Sequence, residues 1–201
     1  MEMEEIRISS SIRYIEASED PLSADVGIVQ AASGIWLFDV GNGAENVSGL
    51  GGEYSVVLSH FHLDHVGNLG RIKWKELYLS PETYRHLGRG TVVEKDLYID
   101  GLHIFPIPSS HCKGCLGLET EDGFAFVGDA LYSKAKDGFY VYNAQLLREE
   151  INTLKKLKAQ YLLESHRKGL VVSRDEAVAM LEEIYSMRSK NDPYIRVEME
   201  I

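Results

Sequence analysis

Between Ser55 and Asn68 the chain reads SVVLSHFHLDHVGN, which places His60, His62, Asp64 and His65 within six consecutive positions. Imidazole nitrogens and carboxylate oxygens bind divalent cations well and pack poorly, because each buried polar group needs its own partner. Val56, Val57 and Leu58 before them form a short apolar, β-branched run, the pattern of a buried strand. If extended backbone persists past that strand, its period of two points His60 and His62 the same way, where they could chelate one ion. Asp64 and His65 fall where the chain turns toward Gly67. Their different directions suit a second ion better than the first.

The surrounding patterns predict the elements that hold this cluster. Residues 6 to 14 alternate, with Ile6, Ile8, Ile12 and Tyr14 opposite Arg7, Ser9, Ser11 and Arg13, which predicts one strand with a wet face. Residues 26 to 31 and 35 to 40 read as a hairpin turning at Ser33-Gly34, followed by a tight loop at Asp39. Ser80-Pro81-Glu82 is a helix start and Gly88 a stop. Residues 97 to 107 and 116 to 128 predict strands broken by turns at Asp100-Gly101 and Asp122-Gly123. Leu147, Ile151, Leu154 and Leu157 recur at helical spacing after Asn143, with Lys155, Lys156 and Lys158 at the negative end. Ser173 and Glu176 read as a capping box for a second helix carrying Val178, Leu181, Ile184 and Tyr185. The tail alternates again, with Ile195, Val197, Met199 and Ile201 opposite Arg196, Glu198 and Glu200, and predicts a last strand beside the N-terminal one.

At 201 residues, 1–201 is most simply one domain with mixed α and β structure. The formal charge of −10 leaves no electrostatic footprint for nucleic acid or an anionic membrane, so the expected partner is a small molecule. The acidic start MEMEEIRISS lacks the apolar segment of a signal peptide or membrane helix. Cys112 and Cys115 are the only cysteines, and a cytoplasmic location is the default expectation. Oligomeric state leaves no trace in these patterns.

The segment HFHLDH resembles the HxHxDH signature of the metallo-β-lactamase superfamily, and segments resembling that family's other ligand positions follow in order. His111 follows IPSS, Asp129 lies in FAFVGDALY and His166 in LLESHRKG. The resemblance runs from Asp39 to His166 and implies an α/β fold, the four-layer αββα sandwich of the metallo-β-lactamase type. It further implies that His60, His62 and His111 bind one metal, that Asp64, His65 and His166 bind another, and that Asp129 bridges them. Asp39 would support the site without binding metal; a turn aspartate satisfying nearby backbone would read the same way. Nitrogen and oxygen donors with open positions suit two zinc ions, and iron or manganese tolerate the same set. Two cations about 3.5 to 4 Å apart would share a hydroxide as nucleophile, because bound water can have its pKa lowered to about 7. Asp64 then counts as a catalytic residue as well as a ligand.

These expectations describe a dinuclear metallo-hydrolase acting on a small ester, thioester, lactone or amide. His62 stands where flavodiiron proteins of the superfamily typically carry a carboxylate, and Asp129 where some β-lactamases carry a thiolate. The match is closer to glyoxalase II-like hydrolases, although CKGCLGL after His111 departs from their Thr- and Ser-rich pattern and the residues after His166 are too few for their helical C-terminal domain. An iron-dependent oxidoreductase resembling persulfide dioxygenases is the alternative, supported by Cys112 and Cys115; a phosphodiesterase on RNA or a nucleotide fits the charge poorly. Cys112-Lys113-Gly114-Cys115 could be a redox pair beside His111, or thiols that pack. Lys113, Arg167 and Lys168 could receive a substrate anion or simply be solvated. Tyr132 could donate to an oxyanion or pack as a core aromatic. His86 and His103 have no ligand spacing.

Overall fold

In the computed structural model, which describes residues 5–199, the apolar runs become strands buried on both faces. One seven-stranded sheet has the order Glu5–Arg7, Ile12–Ile15, Val26–Ala31, Gly34–Phe38, Glu53–Val57, Lys73–Leu79, Thr91–Val92. A six-stranded sheet runs Leu97–Ile99, Leu102–Ile107, Cys115–Glu119, Phe124–Gly128, Tyr161–Glu164, Val171–Ser173. Alternate residues of the two sheets meet in one core, where Trp36, Phe38 and Val57 face Ile104, Leu116, Leu118 and Phe126, with Phe38 stacked on Phe126 at 5.1 Å. The intervening residues face outward. Phe105, Ile107, Ala125, Val127 and Leu162 pack under helices Ala144–Leu154 and Arg174–Ser186. Ile28, Leu37, Val56 and Leu77 pack under a thinner layer that includes Val47, Leu69 and Leu87. Each fully buried side chain of this size contributes roughly 1.5 to 3 kcal/mol relative to exposure, so neither face of either sheet tolerates a register slip.

The central strands set where the site lies. Gly34–Phe38, Glu53–Val57 and Lys73–Leu79 run parallel, as do Phe124–Gly128 and Tyr161–Glu164. Their carboxyl ends therefore gather at one edge of the sandwich, where Asp39, His60, Asp129 and His166 follow directly or within a few residues. Backbone bonds from Leu116 N to Ser59 O (2.8 Å) and from Ser165 N to Gly128 O (3.1 Å) tie that edge together.

Several local expectations are corrected. The alternating stretch 6 to 14 is two antiparallel strands, Glu5–Arg7 and Ile12–Ile15, because the Ser9 hydroxyl accepts from the backbone of Ser11 and Ile12 and turns the chain. The first hairpin turns at Ala32-Ser33, with Ala31 paired to Gly34, and its second strand ends at Phe38. Ser80 accepts from Thr83 N and Gly88 closes that helix in the left-handed region, as expected. Asn143 accepts from Gln145 and Leu146 N at the next helix start; that helix ends at Leu154, so Leu157 packs from beyond it. Ser173 makes no side-chain cap, because it closes a strand paired with Tyr161. The last strand, Tyr194–Glu198, pairs with Phe139–Asn143 rather than the N-terminal strand, in a three-stranded sheet completed by Lys134–Lys136. Ile195 is buried there and Arg196 exposed, in the expected phase, while Glu200 and Ile201 lie outside the described residues.

Glu150, on helix Ala144–Leu154, is 0% exposed, and neither carboxyl oxygen has a hydrogen-bond partner among the described residues. Burial, and then the nearby Glu164, push its pKa well above the usual carboxyl range and favour the neutral acid. The folded protein therefore keeps a proton that the unfolded chain releases above its ordinary pKa, and stability falls as pH rises past that point. Glu150→Met is expected to stabilise the protein by about 1 to 3 kcal/mol at neutral pH, the range for an unsatisfied buried polar group. The gain should shrink toward about pH 4, where both states hold the proton. Urea melts of the two proteins at acid and neutral pH check this; a gain independent of pH would mean that the folded protein does not hold the proton on Glu150.

Candidate metal centre

Strand Glu53–Val57 delivers Ser59 and His60 to the edge fully buried, and the chain then enters the short helix Leu63–Val66. His60 Nε2 lies 2.9 Å from His62 Nδ1, which in turn lies 3.1 Å from His111 Nε2. Phe61, between the two ligands, is stacked on His86 at 4.0 Å, which fixes the segment from the side of helix Pro81–Leu87. His111 follows Ser109, whose hydroxyl accepts from His111 N and donates to Ala130 O at 2.7 Å. His62 and His111 have their pKa lowered by burial; His60 is lowered strongly by burial and then by the neighbouring histidines. All three are therefore favoured as neutral imidazoles with lone pairs converging on one place.

A second group assembles from Asp64, His65, Asp129 and His166, whose ligand atoms lie within 4.8 Å of one another. His65 Nδ1 is 2.7 Å from Asp39 Oδ2, and Asp39 also accepts from Ser59 N (2.7 Å) and Ser59 Oγ (2.6 Å). That contact orients the imidazole so that Nε2 faces the group, 3.5 Å from Asp64 Oδ2 and 3.3 Å from Asp129 Oδ2. Although burial opposes it, the charges of Asp39 and Asp129 hold the His65 pKa well up. His166 Nε2 is 3.1 Å from Asp64 Oδ2, a contact that raises the His166 pKa. Burial works to raise the pKa of Asp64 and Asp129, but the His166 hydrogen bond to Asp64 and the close approach and positive charge of His65 at both hold them below the usual range. Asp129 Oδ2 also lies 3.5 Å from His111 Nε2, so this carboxylate stands between the two groups.

These residues fit cations on an observation independent of their spacing. His65 Nε2 and Asp129 Oδ1 are buried and have no hydrogen-bond partner among the described residues, although both face the cluster. Orphaned atoms of this kind cost free energy unless something bound there satisfies them. A cation held by Asp64, His65, Asp129 and His166 would do so.

Sequence reasoning missed Asp25. It is 4% exposed and accepts from His166 N (2.9 Å) and Ala17 N (3.0 Å), so it holds the His166 loop, where His166 itself adopts a φ of 61°. A lone aspartate before a strand carries no signal that distinguishes it from a loop residue. Tyr132 donates its hydroxyl to Ser165 O at 2.9 Å, so that proton is not free for an oxyanion. Burial, then the charge of Glu164, raises its pKa far above the usual phenol value. Arg167 bonds Glu164, and the cleft that it shares with Lys168 also holds Glu16, Glu19 and Asp25, a poor receptor for an anion. Lys113 is exposed. Cys112 and Cys115 are buried free thiols with Sγ atoms 3.5 Å apart; the neighbouring Cys112 thiol, then burial, pushes Cys115 well up. Cys112 Sγ nonetheless lies within 4.8 Å of the ligand nitrogens of His60, His62 and His111.

Two packed sheets with helices outside and ligand groups at the strand ends define the metallo-β-lactamase fold. Among solved structures, the chain is similar to DIM-1 metallo-β-lactamase, with a TM-score of 0.70 at 14% identity over 91% of this chain and 98% of that one. An archaeal metallo-β-lactamase superfamily protein from Sulfolobus tokodaii gives a TM-score of 0.60 at 17% identity, covering 92% and 91%. A double mutant of the sec-alkyl sulfatase PisA1 gives 0.66 at 13% identity, covering 92% of this chain and 42% of that one. At these identities the likeness establishes the fold. No protein-family model and no curated protein sequence matches the chain.

Proposed function

We propose that the protein is a dinuclear, zinc-dependent hydrolase of a small ester, thioester, lactone or amide. The observation that carries this reading is the juxtaposition of a three-histidine group and an Asp-His-Asp-His group, with Asp129 Oδ2 between them. When bound, a pair of divalent cations supplies Lewis acidity, lowering the pKa of a bound water to about 7 and polarising a substrate oxygen. His60, His62 and His111 would hold one cation, Asp64, His65 and His166 the other, and Asp129 both.

The remaining chemistry belongs to the chain. Asp39 keeps the His65 ring turned so that Nε2 faces the cluster, where a bound cation would take the place of its proton. Asp64 is part-exposed, its side chain 17% accessible, and remains ionised at neutral pH, so it can accept a proton from an attacking water and pass it toward a leaving group. His166, also part-exposed, steadies that carboxylate from the opposite wall. No serine or cysteine nucleophile is required, and the buried, protonated Cys115 is poorly suited to be one.

Metal analysis of the purified protein, followed by thioester, ester, lactone, lactam and phosphodiester substrates, tests the reading. Two zinc ions per chain and metal-dependent cleavage of an acyl substrate are the expected result. One iron per chain with oxygen uptake overturns it in favour of an oxidoreductase.

A further inference from the structure

The three-stranded sheet beside the site has two unlike faces. Tyr142 and Ile195 are buried against the helical core. On the opposite face Lys134, Val141 and Arg196 stand in register across the three strands, with Phe139 and Tyr194 beside them. These side chains floor an open groove of about 760 Å3 whose wall includes Ser110, the residue before His111. Lys134 comes five residues after Asp129 and Ser110 immediately precedes His111, so two of the residues that line the groove lie close in the chain to ligands of the metal centre.

Its charge runs against that of the molecule. The chain carries −10 overall, yet three cations, Lys134, Lys136 and Arg196, line this groove with one acid, Asp137, and a second acid, Glu198, shares the face beside Phe139. Arg196 is held by Asp192 at 2.9 Å, whereas neither Lys134 nor Lys136 has an ion-pair partner among the described residues. Two exposed ammonium groups above an apolar floor, in an otherwise acidic protein, match a ligand with an apolar body and a negative end.

We propose that this groove seats the acyl part of the substrate and that this part is an aliphatic chain ending in a carboxylate, held by Lys134 and Lys136. The assignment rests on the hydrolase reading for the position of the scissile bond, with the chain lying over Val141 and Phe139 and the carbonyl directed to the histidines. Neutral acyl groups of the same length would lack the ionic contact, and bulky cations would be repelled.

Octanoate and octanamide, titrated calorimetrically into the zinc-loaded protein and into a Lys134→Gln/Lys136→Gln variant, test the groove without any turnover. Both lysines are exposed, so the variant should fold, and an unchanged thermal melt verifies it. The expected result is a preference for octanoate of about tenfold in the parent, the size of two exposed ion pairs, falling to about twofold or less in the variant. Equal affinity for the two ligands in the parent overturns the proposal. So does a preference that survives in the variant, which would assign the carboxylate to the metals. Failure of the substrate panel would remove the hydrolase and leave this binding result standing.

Discussion

Replacing Asp39 with alanine is expected to cost about 3 to 5 kcal/mol of stability and to weaken metal binding by roughly 10- to 100-fold. Asp39 is 0% exposed and is the shared acceptor for Ser59 N, Ser59 Oγ and His65 Nδ1. Its removal leaves Ser59 N buried without a partner, leaves Ser59 Oγ and His65 Nδ1 only their contacts with His60 Nδ1 (2.9 Å) and with each other (3.2 Å), and loosens the hold on the His65 ring. The effect on metal follows from that loosening, because Nε2 faces Asp64 and Asp129 only while Nδ1 is engaged. Asp39 sits at a φ of 58°, which asparagine tolerates well, so Asp39→Asn separates backbone from charge. The asparagine variant should recover most of the stability and only part of the metal affinity. Thermal melts of metal-free protein and competition with a chromophoric chelator measure the two effects; an alanine variant with undiminished metal affinity would remove Asp39 from the site.

The second large effect is expected at Gly128, which precedes Asp129. It adopts a φ of 56°, and an added Cβ would meet Ser59 Cβ at 2.7 Å and Ser59 Oγ at 2.9 Å. Ser59 cannot yield, because it is 1% exposed and held to Asp39 by two bonds. Gly128→Ala therefore combines left-handed strain of about 1 to 2 kcal/mol with a clash of comparable size, for a loss of roughly 3 kcal/mol. Gly169 is the control: its φ is 77°, but nothing lies within 4 Å of its Cβ position. Gly169→Ala should lose only the backbone component, about 1 kcal/mol. Urea unfolding of the two variants compares them directly, and equal losses would show that the Ser59 contact relaxes freely. Metal affinity should fall in Gly128→Ala alone, since the shift is passed to Asp129.

Much of the architecture is local in origin. The alternation of Leu102–Ile107 and Phe124–Gly128 places successive side chains on opposite faces, and Asp100-Gly101 makes the two-residue hairpin turn that its composition demands, with positive φ at both positions. Alternation also fixed which side of Tyr194–Glu198 is buried. It could not fix the partner of that strand, because strand pairing depends on which edge is free, and the hairpin Lys134–Lys136 with Phe139–Asn143 that offers the edge drew no notice in the sequence. Ser9 and Ser11 likewise look like one wet face of a strand until the Ser9 hydroxyl is seen to accept from the backbone of Ser11 and Ile12 within the turn.

The site divides along the same line. By itself the sequence determined that a buried strand leads into His60, His62, Asp64 and His65, and that extended backbone beyond it would point the first two together; only resemblance indicated His111, Asp129 and His166. The tertiary structure alone decided that these distant residues meet, that Asp39 turns His65, that Asp25 holds His166, and that a lysine-lined groove adjoins them. The reason is physical: side-chain direction within a strand is set by neighbouring backbone dihedrals, whereas the meeting of strand ends depends on parallel crossovers and sheet packing between residues far apart along the chain.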